Sequence, residues 1–213
     1  LDFDGGTVMN TKRFVGKILP YTGIILLVGF VGLALLTTTN ANKDIIYNEG
    51  DMAPDFTLPK VGGGQFTLSE LKGKKNVLLY FQEGIMCPAC WNQQVDIEKR
   101  QTEFDKLNTE VVMITVDPPN ALAQAKAQYG IKDTTLYDNS LTASSMYSVL
   151  QDSMHPGQRP GHVFVLIDKE GKIKWRYSAY KPSPTGGPHG GTGTMYVPVE
   201  IILTSMKNAL QGV

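Results

Sequence analysis

Both cysteines of this 213-residue chain lie in one tetrapeptide, Cys87-Pro-Ala-Cys90, shortly after the apolar run Val77-Leu-Leu-Tyr-Phe81. The segment Asn76–Phe81 has strand length and no polar alternation, the pattern of a strand buried on both faces. Pro88 suits a first helical turn. Ile97, Phe104 and Leu107 then form an apolar stripe with charges between, which predicts a helix over about 88–107. A buried strand, a turn and a helix start therefore meet at Cys87. Unpaired amides and the positive end of the helix dipole stabilise a thiolate there, and cysteines so placed become nucleophiles. Cys90, three residues on, faces the same side, and this spacing lets the sulfurs close a disulfide. The expected chemistry is attack by Cys87 on a substrate sulfur or a peroxide oxygen. Cys90 then displaces the product and closes the ring.

Other readings of the pair are weaker. Two cysteines cannot make a multi-disulfide scaffold. A passive disulfide closing so small a ring removes little chain entropy and stabilises weakly. A zinc site needs two further ligands, and His155, His162 and His189 form no second pair with finger-like spacing. The balance of 20 Lys+Arg against 20 Asp+Glu argues against nucleic acid as a partner, since such proteins carry a basic excess. With 42% hydrophobic and 19% charged residues, the chain is not disordered.

The N-terminal part reads as a membrane segment. Met9 is followed by the basic residues Lys12, Arg13 and Lys17, and Ile18 to Asn42 carries no charge. A helix needs about 20 residues to cross the hydrocarbon layer. The charge asymmetry places the N-terminus inside. The expected organisation is a cytoplasmic tail over 1–17, with Met9 the biological start and 1–8 upstream of it. A transmembrane anchor over 18–38 and a polar linker over 39–49 follow, and then an extracytoplasmic domain over 50–213. A cleaved signal peptide, with Thr39-Asn40-Ala41 as a weak site, would send the domain to the same side.

Within that domain, the echo Asp55-Phe-Thr-Leu58 and Gln65-Phe-Thr-Leu68 around Gly62-Gly63-Gly64 predicts a hairpin. Val111–Val116 is a second buried strand. Ala121–Tyr129 is a helix ending at Gly130. Thr134–Tyr137 is a short strand, and Ser140 is placed to cap a helix running to Leu150. His162–Asp168 and Lys172–Tyr180 form a hairpin around Lys169-Glu170-Gly171. Residues 182–193 are a Gly/Pro loop and 198–209 a final helix. The order implies an α/β fold with a mixed sheet covered by helices on both faces.

Taken in order, Gly50-Asp-Met-Ala-Pro-Asp-Phe-Thr-Leu58, Leu68-Ser-Glu-Leu-Lys-Gly73, Val77–Phe81, Cys-Pro-Ala-Cys and Phe164-Val-Leu-Ile-Asp-Lys-Glu-Gly-Lys-Ile173 resemble the redoxin branch of the thioredoxin superfamily. That branch holds the alkyl-hydroperoxide-reductase/thiol-specific-antioxidant (AhpC/TSA) domains and membrane-anchored thiol–disulfide oxidoreductases. The resemblance covers about residues 48–180. It implies a thioredoxin-like three-layer sandwich and a redox enzyme whose working group is the Cys87–Cys90 disulfide, with no other cofactor. The partners it implies are protein thiols and disulfides outside the cytoplasm and a separate redox partner.

Two departures bear on the activity. Peroxiredoxins carry Pro-x-x-x-Thr-x-x-Cys at the peroxide-attacking cysteine, whereas Tyr80 and Gly84 stand here in place of the Pro and Thr. Thioredoxin-type reductases place a cis-proline beside the cysteines, whereas the match puts His162 there, with Pro160 two residues earlier. The missing Pro and Thr put thiol–disulfide exchange ahead of a peroxidase alternative, while the missing cis-proline makes the substrate-facing loop atypical for a reductase.

His162 is a candidate to steady the Cys87 thiolate or relay a proton, against a strand histidine satisfied by backbone. With Cys87 and Cys90 it offers a second alternative, a Cu(I)-delivery site. Glu83 is a candidate proton carrier for the resolving thiol, against a solvated loop glutamate. Trp91 is expected to pack beside the pair. Arg159 stands between a peroxide-polarising role and an ordinary surface arginine.

Overall fold

The computed structural model describes residues 47–179 and 195–212. The expected tail, the anchor and most of the linker, together with the loop over 182–193, lie outside the described residues. Among the described residues no helix is long and apolar enough to cross a membrane.

A two-stranded antiparallel sheet, β1 (Thr57–Pro59) and β2 (Gln65–Thr67), opens the fold, as the repeated Phe-Thr-Leu predicts. The main sheet has five strands: β3 (Asn76–Phe81), β4 (Thr109–Thr115), β5 (Thr134–Tyr137), β6 (Val163–Ile167) and β7 (Ile173–Ser178). Their order is β5-β4-β3-β6-β7. β3, β4 and β5 run parallel, and β6 and β7 add antiparallel partners beyond β3. Every residue from Val77 to Phe81 is buried, because β3 is central and covered on both faces.

The helices are α1 (Pro88–Lys99), α2 (Gln101–Lys106), α3 (Pro119–Tyr129), α4 (Thr142–Met146) and α5 (Val199–Gln211). The crossovers β3-α1-β4 and β4-α3-β5 step the same way across the sheet. Right-handed connection therefore puts α1 and α3 on one face. Alternation along β3 sends Leu78 and Tyr80 to that face, where they join Ile97, Phe104, Leu122 and Ile202. Leu79 and Phe81 point the other way, onto Phe56, Phe66, Ala143 and Tyr147. That second face is closed by the β1–β2 hairpin and the short α4 rather than by long helices.

Two local expectations are corrected. The helix expected over 88–107 is interrupted at Arg100 (φ −106°, ψ 12°), whose guanidinium bridges Glu103 and Glu200 and so ties the break to α5. Ser140 does not cap a helix to Leu150. The Asp138 carboxylate receives the Ser144 amide at 2.8 Å and the Ala143 amide at 3.4 Å, and α4 ends by Met146, just ahead of the left-handed Ser148.

Candidate active site

The strand β3 delivers the chain at its carboxyl end into a tight loop, Gln82–Met86, and Cys87 is the N-cap of α1. Cys87 and Cys90 are joined by a disulfide across a Cα–Cα distance of 5.3 Å. The Cys87 sulfur accepts the Cys90 amide at 3.3 Å, satisfying one of the orphan donors of the first helical turn. Cys87 keeps 4% of its surface and Cys90 none. The residues leading into Cys87 are open, Ile85 at 42% and Met86 at 81%. Trp91 is buried beside the pair, as expected, stacked on Tyr129 at 5.3 Å and donating to the Gly84 carbonyl at 3.2 Å.

Sheet register places the next group. Tyr80 pairs with Phe164 across β3 and β6, so both face α1, and His162, two residues before Phe164, faces it too. His162 is fully buried. Its Nδ1 lies 3.6 Å from the Cys90 sulfur, and its Nε2 lies 3.2 Å from the Tyr80 hydroxyl. Tyr80 also donates to the Cys90 carbonyl at 3.1 Å. The expectation that His162 meets the cysteines holds, but its contact is Cys90, not Cys87. Burial and the nearby Glu83 carboxylate hold the Tyr80 phenol well above its ordinary pKa, so it stays protonated.

A charged network lies on the other side of the loop. Glu83 is buried, contrary to a solvated loop glutamate. Its Oε1 accepts the Met154 amide at 2.6 Å and the Ser153 hydroxyl at 3.1 Å, and Oε2 lies 3.6 Å from His155 Nδ1. Those contacts anchor residues 153–155, and among the described contacts the carboxylate makes no hydrogen bond to either sulfur. Arg159 is not an idle surface residue. It donates to the Glu83 carbonyl at 2.7 Å and to Asp117 Oδ1 at 3.0 Å, while Asp117 Oδ2 accepts the Ile85 amide at 2.8 Å.

Gly84 explains the departure from the peroxiredoxin pattern. Its φ is +107°, and a Cβ there would overlap the Asp117 carboxylate and stand 2.6 Å from Arg159 Nη1. A threonine does not fit while that ion pair occupies the space. At the other departure, the described peptide bonds are all trans, and the His162 carbonyl accepts the Ala179 amide at 2.9 Å, continuing the β6–β7 ladder. Among the described residues no group of three or more His, Cys, Asp and Glu side chains is arranged to hold a metal. The two sulfurs are bonded to each other here, whereas the Cu(I) alternative calls on them as thiolates.

Sequence reasoning missed Tyr80 and Asp117. Asp117 follows β4 at the carboxyl end of a parallel strand, where sites of α/β sheets gather, and that was the available signal. Tyr80 needed the β3–β6 register.

A mixed five-stranded sheet with a two-cysteine disulfide opening the helix after its central strand defines a thioredoxin-like redox protein. Residues 49–176 match the AhpC/TSA family, and the chain belongs to it. Peroxiredoxin Bcp of Escherichia coli K12 is 28% identical over 137 residues, covering 63% of this chain and 87% of that protein. Chloroplastic peroxiredoxin Q of Populus jackii is 30% identical over 146 residues, 67% of each chain. Two solved structures share the fold. Peroxidoxin BcpB from Mycobacterium tuberculosis superposes with a TM-score of 0.62 at 20% identity, over 76% of this chain and 97% of that one. A proposed thiol:disulfide interchange protein DsbE from Chlorobium tepidum gives 0.58 at 21% identity, over 77% and 99%. Family and disulfide together make the chain a thiol-dependent redox enzyme.

Proposed function

We propose that this chain is a thiol–disulfide oxidoreductase in which Cys87 attacks a disulfide of a protein substrate and Cys90 resolves the mixed disulfide. The observation that carries this reading is the asymmetry of the pair. Cys87 caps α1 behind the open residues Ile85 and Met86, while Cys90 is sealed beneath Tyr80 and His162. A partner thiol or disulfide approaches the first and not the second. The Asp117–Arg159 pair, filling the space where peroxiredoxins carry threonine, supports exchange over peroxide reduction.

Peroxide reduction is the second reading, favoured by family membership and by relatives named peroxiredoxins. There Cys87 would become a sulfenic acid that Cys90 condenses with, releasing water. We further propose that the domain works outside the cytoplasm, held to a membrane by residues 18–38. The support is the charge-free stretch behind Lys12, Arg13 and Lys17.

One comparison tests the catalytic reading. The reduced domain is mixed with hydrogen peroxide or with a protein disulfide, and Trp91 fluorescence is followed. Exchange is expected to be the faster reaction, and rapid peroxide oxidation with sluggish exchange would overturn it. Cys90→Ser is expected to trap mixed disulfides and Cys87→Ser to trap none.

A further inference from the structure

The Tyr80 hydroxyl has one proton and spends it on the Cys90 carbonyl at 3.1 Å. Toward the His162 ring, whose Nε2 and Nδ1 lie 3.2 Å and 3.4 Å away, it can then only accept. Nδ1 itself lies 3.6 Å from the Cys90 sulfur, within reach of the thiol proton once the pair is reduced. His162 is buried completely and braced by the Tyr80 ring at 4.9 Å and the Phe164 ring at 5.5 Å, so the imidazole cannot swing away.

From this geometry we infer that His162 is a catalytic residue of the second step, the general base that deprotonates the buried Cys90, with Tyr80 the positioning residue that holds the ring against the sulfur. The inference rests on the assignment of Cys87 as nucleophile and Cys90 as resolver. After attack on a disulfide, Cys87 is bonded to the substrate sulfur. Cys90 passes its proton to His162 Nδ1. The Cys90 thiolate then attacks the Cys87 sulfur, the Cys87–Cys90 bond forms, and the bond from Cys87 to substrate breaks. The departing thiolate takes a proton, from the imidazolium or from water, and leaves as thiol. Two electrons pass from the cysteine pair to the substrate. A thiol buried from water needs such a base, because desolvation disfavours its thiolate.

The titratable and charged groups on elements packed against His162 are few. Tyr80 belongs to β3 and Glu83 follows it. Cys90 comes from α1 and Tyr177 from β7. The Asp152–Arg176 pair lies beside Gly161. Glu83 is held by residues 153–155 and Asp152 by Arg176, so neither carboxylate replaces His162 at the sulfur.

The test uses dithiobis(nitrobenzoate), an aromatic disulfide that releases one coloured thiolate when Cys87 attacks and a second when Cys90 resolves. In His162→Gln the second release is expected to slow about 100-fold at neutral pH, the usual worth of a positioned base. The first release should change by less than about 3-fold, since the base acts only on the resolving thiol. The defect should shrink as the pH passes about 8.5 and beyond, where a thiol ionises unaided. Tyr80→Phe, which keeps the ring, should show a smaller defect of the same shape.

A defect that is equal in both phases, or that persists unchanged at high pH, would mean that His162 is structural and would overturn the inference. An unslowed second release would overturn it too. Failure of the underlying assignment looks different. It would appear as a first release that survives Cys87→Ser, or a second that survives Cys90→Ser.

Discussion

Two polar networks flank the loop between β3 and α1, and they differ in kind. Tyr80 and His162 form one that holds no carboxylate or guanidinium, and it touches the Cys90 sulfur. Glu83, Asp117 and Arg159 form the charged one. Its contacts run to backbone groups of Gln82–Met86, to the Met154 amide and the Ser153 and His155 side chains, and within the ion pair itself. The division follows from how charge acts on a thiolate. A fixed carboxylate beside the resolving sulfur would raise the thiol's pKa by like-charge repulsion, whereas a neutral imidazole accepts the proton and then becomes the favourable countercharge. Charges here hold the loop, and the chemistry is left to groups that change protonation.

The largest way to break this division is at Gly84. Gly84→Thr combines a left-handed φ of +107° with overlap onto the Asp117–Arg159 pair. The expected cost is roughly 3 kcal/mol or more, measured by chemical denaturation. A threonine accommodated without loss would show that the ion pair does not define the loop. Next is Arg159→Ala, which leaves the buried Asp117 carboxylate unpaired, at an expected cost of about 2–3 kcal/mol. Asp117→Asn in the same chain should recover part of it, because the stranded charge is then gone. Neither change should alter the pH dependence of the resolving step, and an altered profile would join the two networks into one. Tyr80→Phe should cost only about 1–2 kcal/mol, one buried hydrogen-bonded hydroxyl, yet it should move the kinetics of resolution where the larger Arg159 effect does not.

The same contrast marks what could be read from the chain. The central strand was legible because β3 is apolar at every position from Val77 to Phe81. The helix end at Gly130 was legible because its φ of 69° is glycine's. The cysteine pair was legible from spacing alone. His162 was brought near the pair only by the family resemblance, which sets it where thioredoxin-type reductases carry a cis-proline. Which sulfur it meets depends on Tyr80 lying opposite Phe164, a register that no local pattern records. The charged network was invisible for a related reason. Glu83, Asp117 and Arg159 come from three connections far apart in sequence, and an isolated charged residue in a loop has the composition of a solvated one. Its burial is decided by the two others.

The smallest expected effect separates stability from chemistry on the pH axis. Asp133 lies against α1, where Gln94 donates to its Oδ2 at 2.7 Å and the Glu98 carboxylate accepts its amide at 3.0 Å. Burial, and then the Glu98 charge, push its carboxyl up to about 7 from an ordinary 3.8. Across that window the folded chain retains a proton that the unfolded chain has released, so stability falls as pH rises from about 4 to about 7. The part owed to this half-buried group is on the order of 1 kcal/mol, and it is fully lost above the folded value. Asp133→Asn should flatten that slope in denaturation measured across the window, while both phases of thiolate release keep their wild-type pH dependence. A slope that survives the substitution would place the titrating group elsewhere. A resolving step that changes with it would mean that the pH response of Cys90 is inherited from global stability rather than from His162.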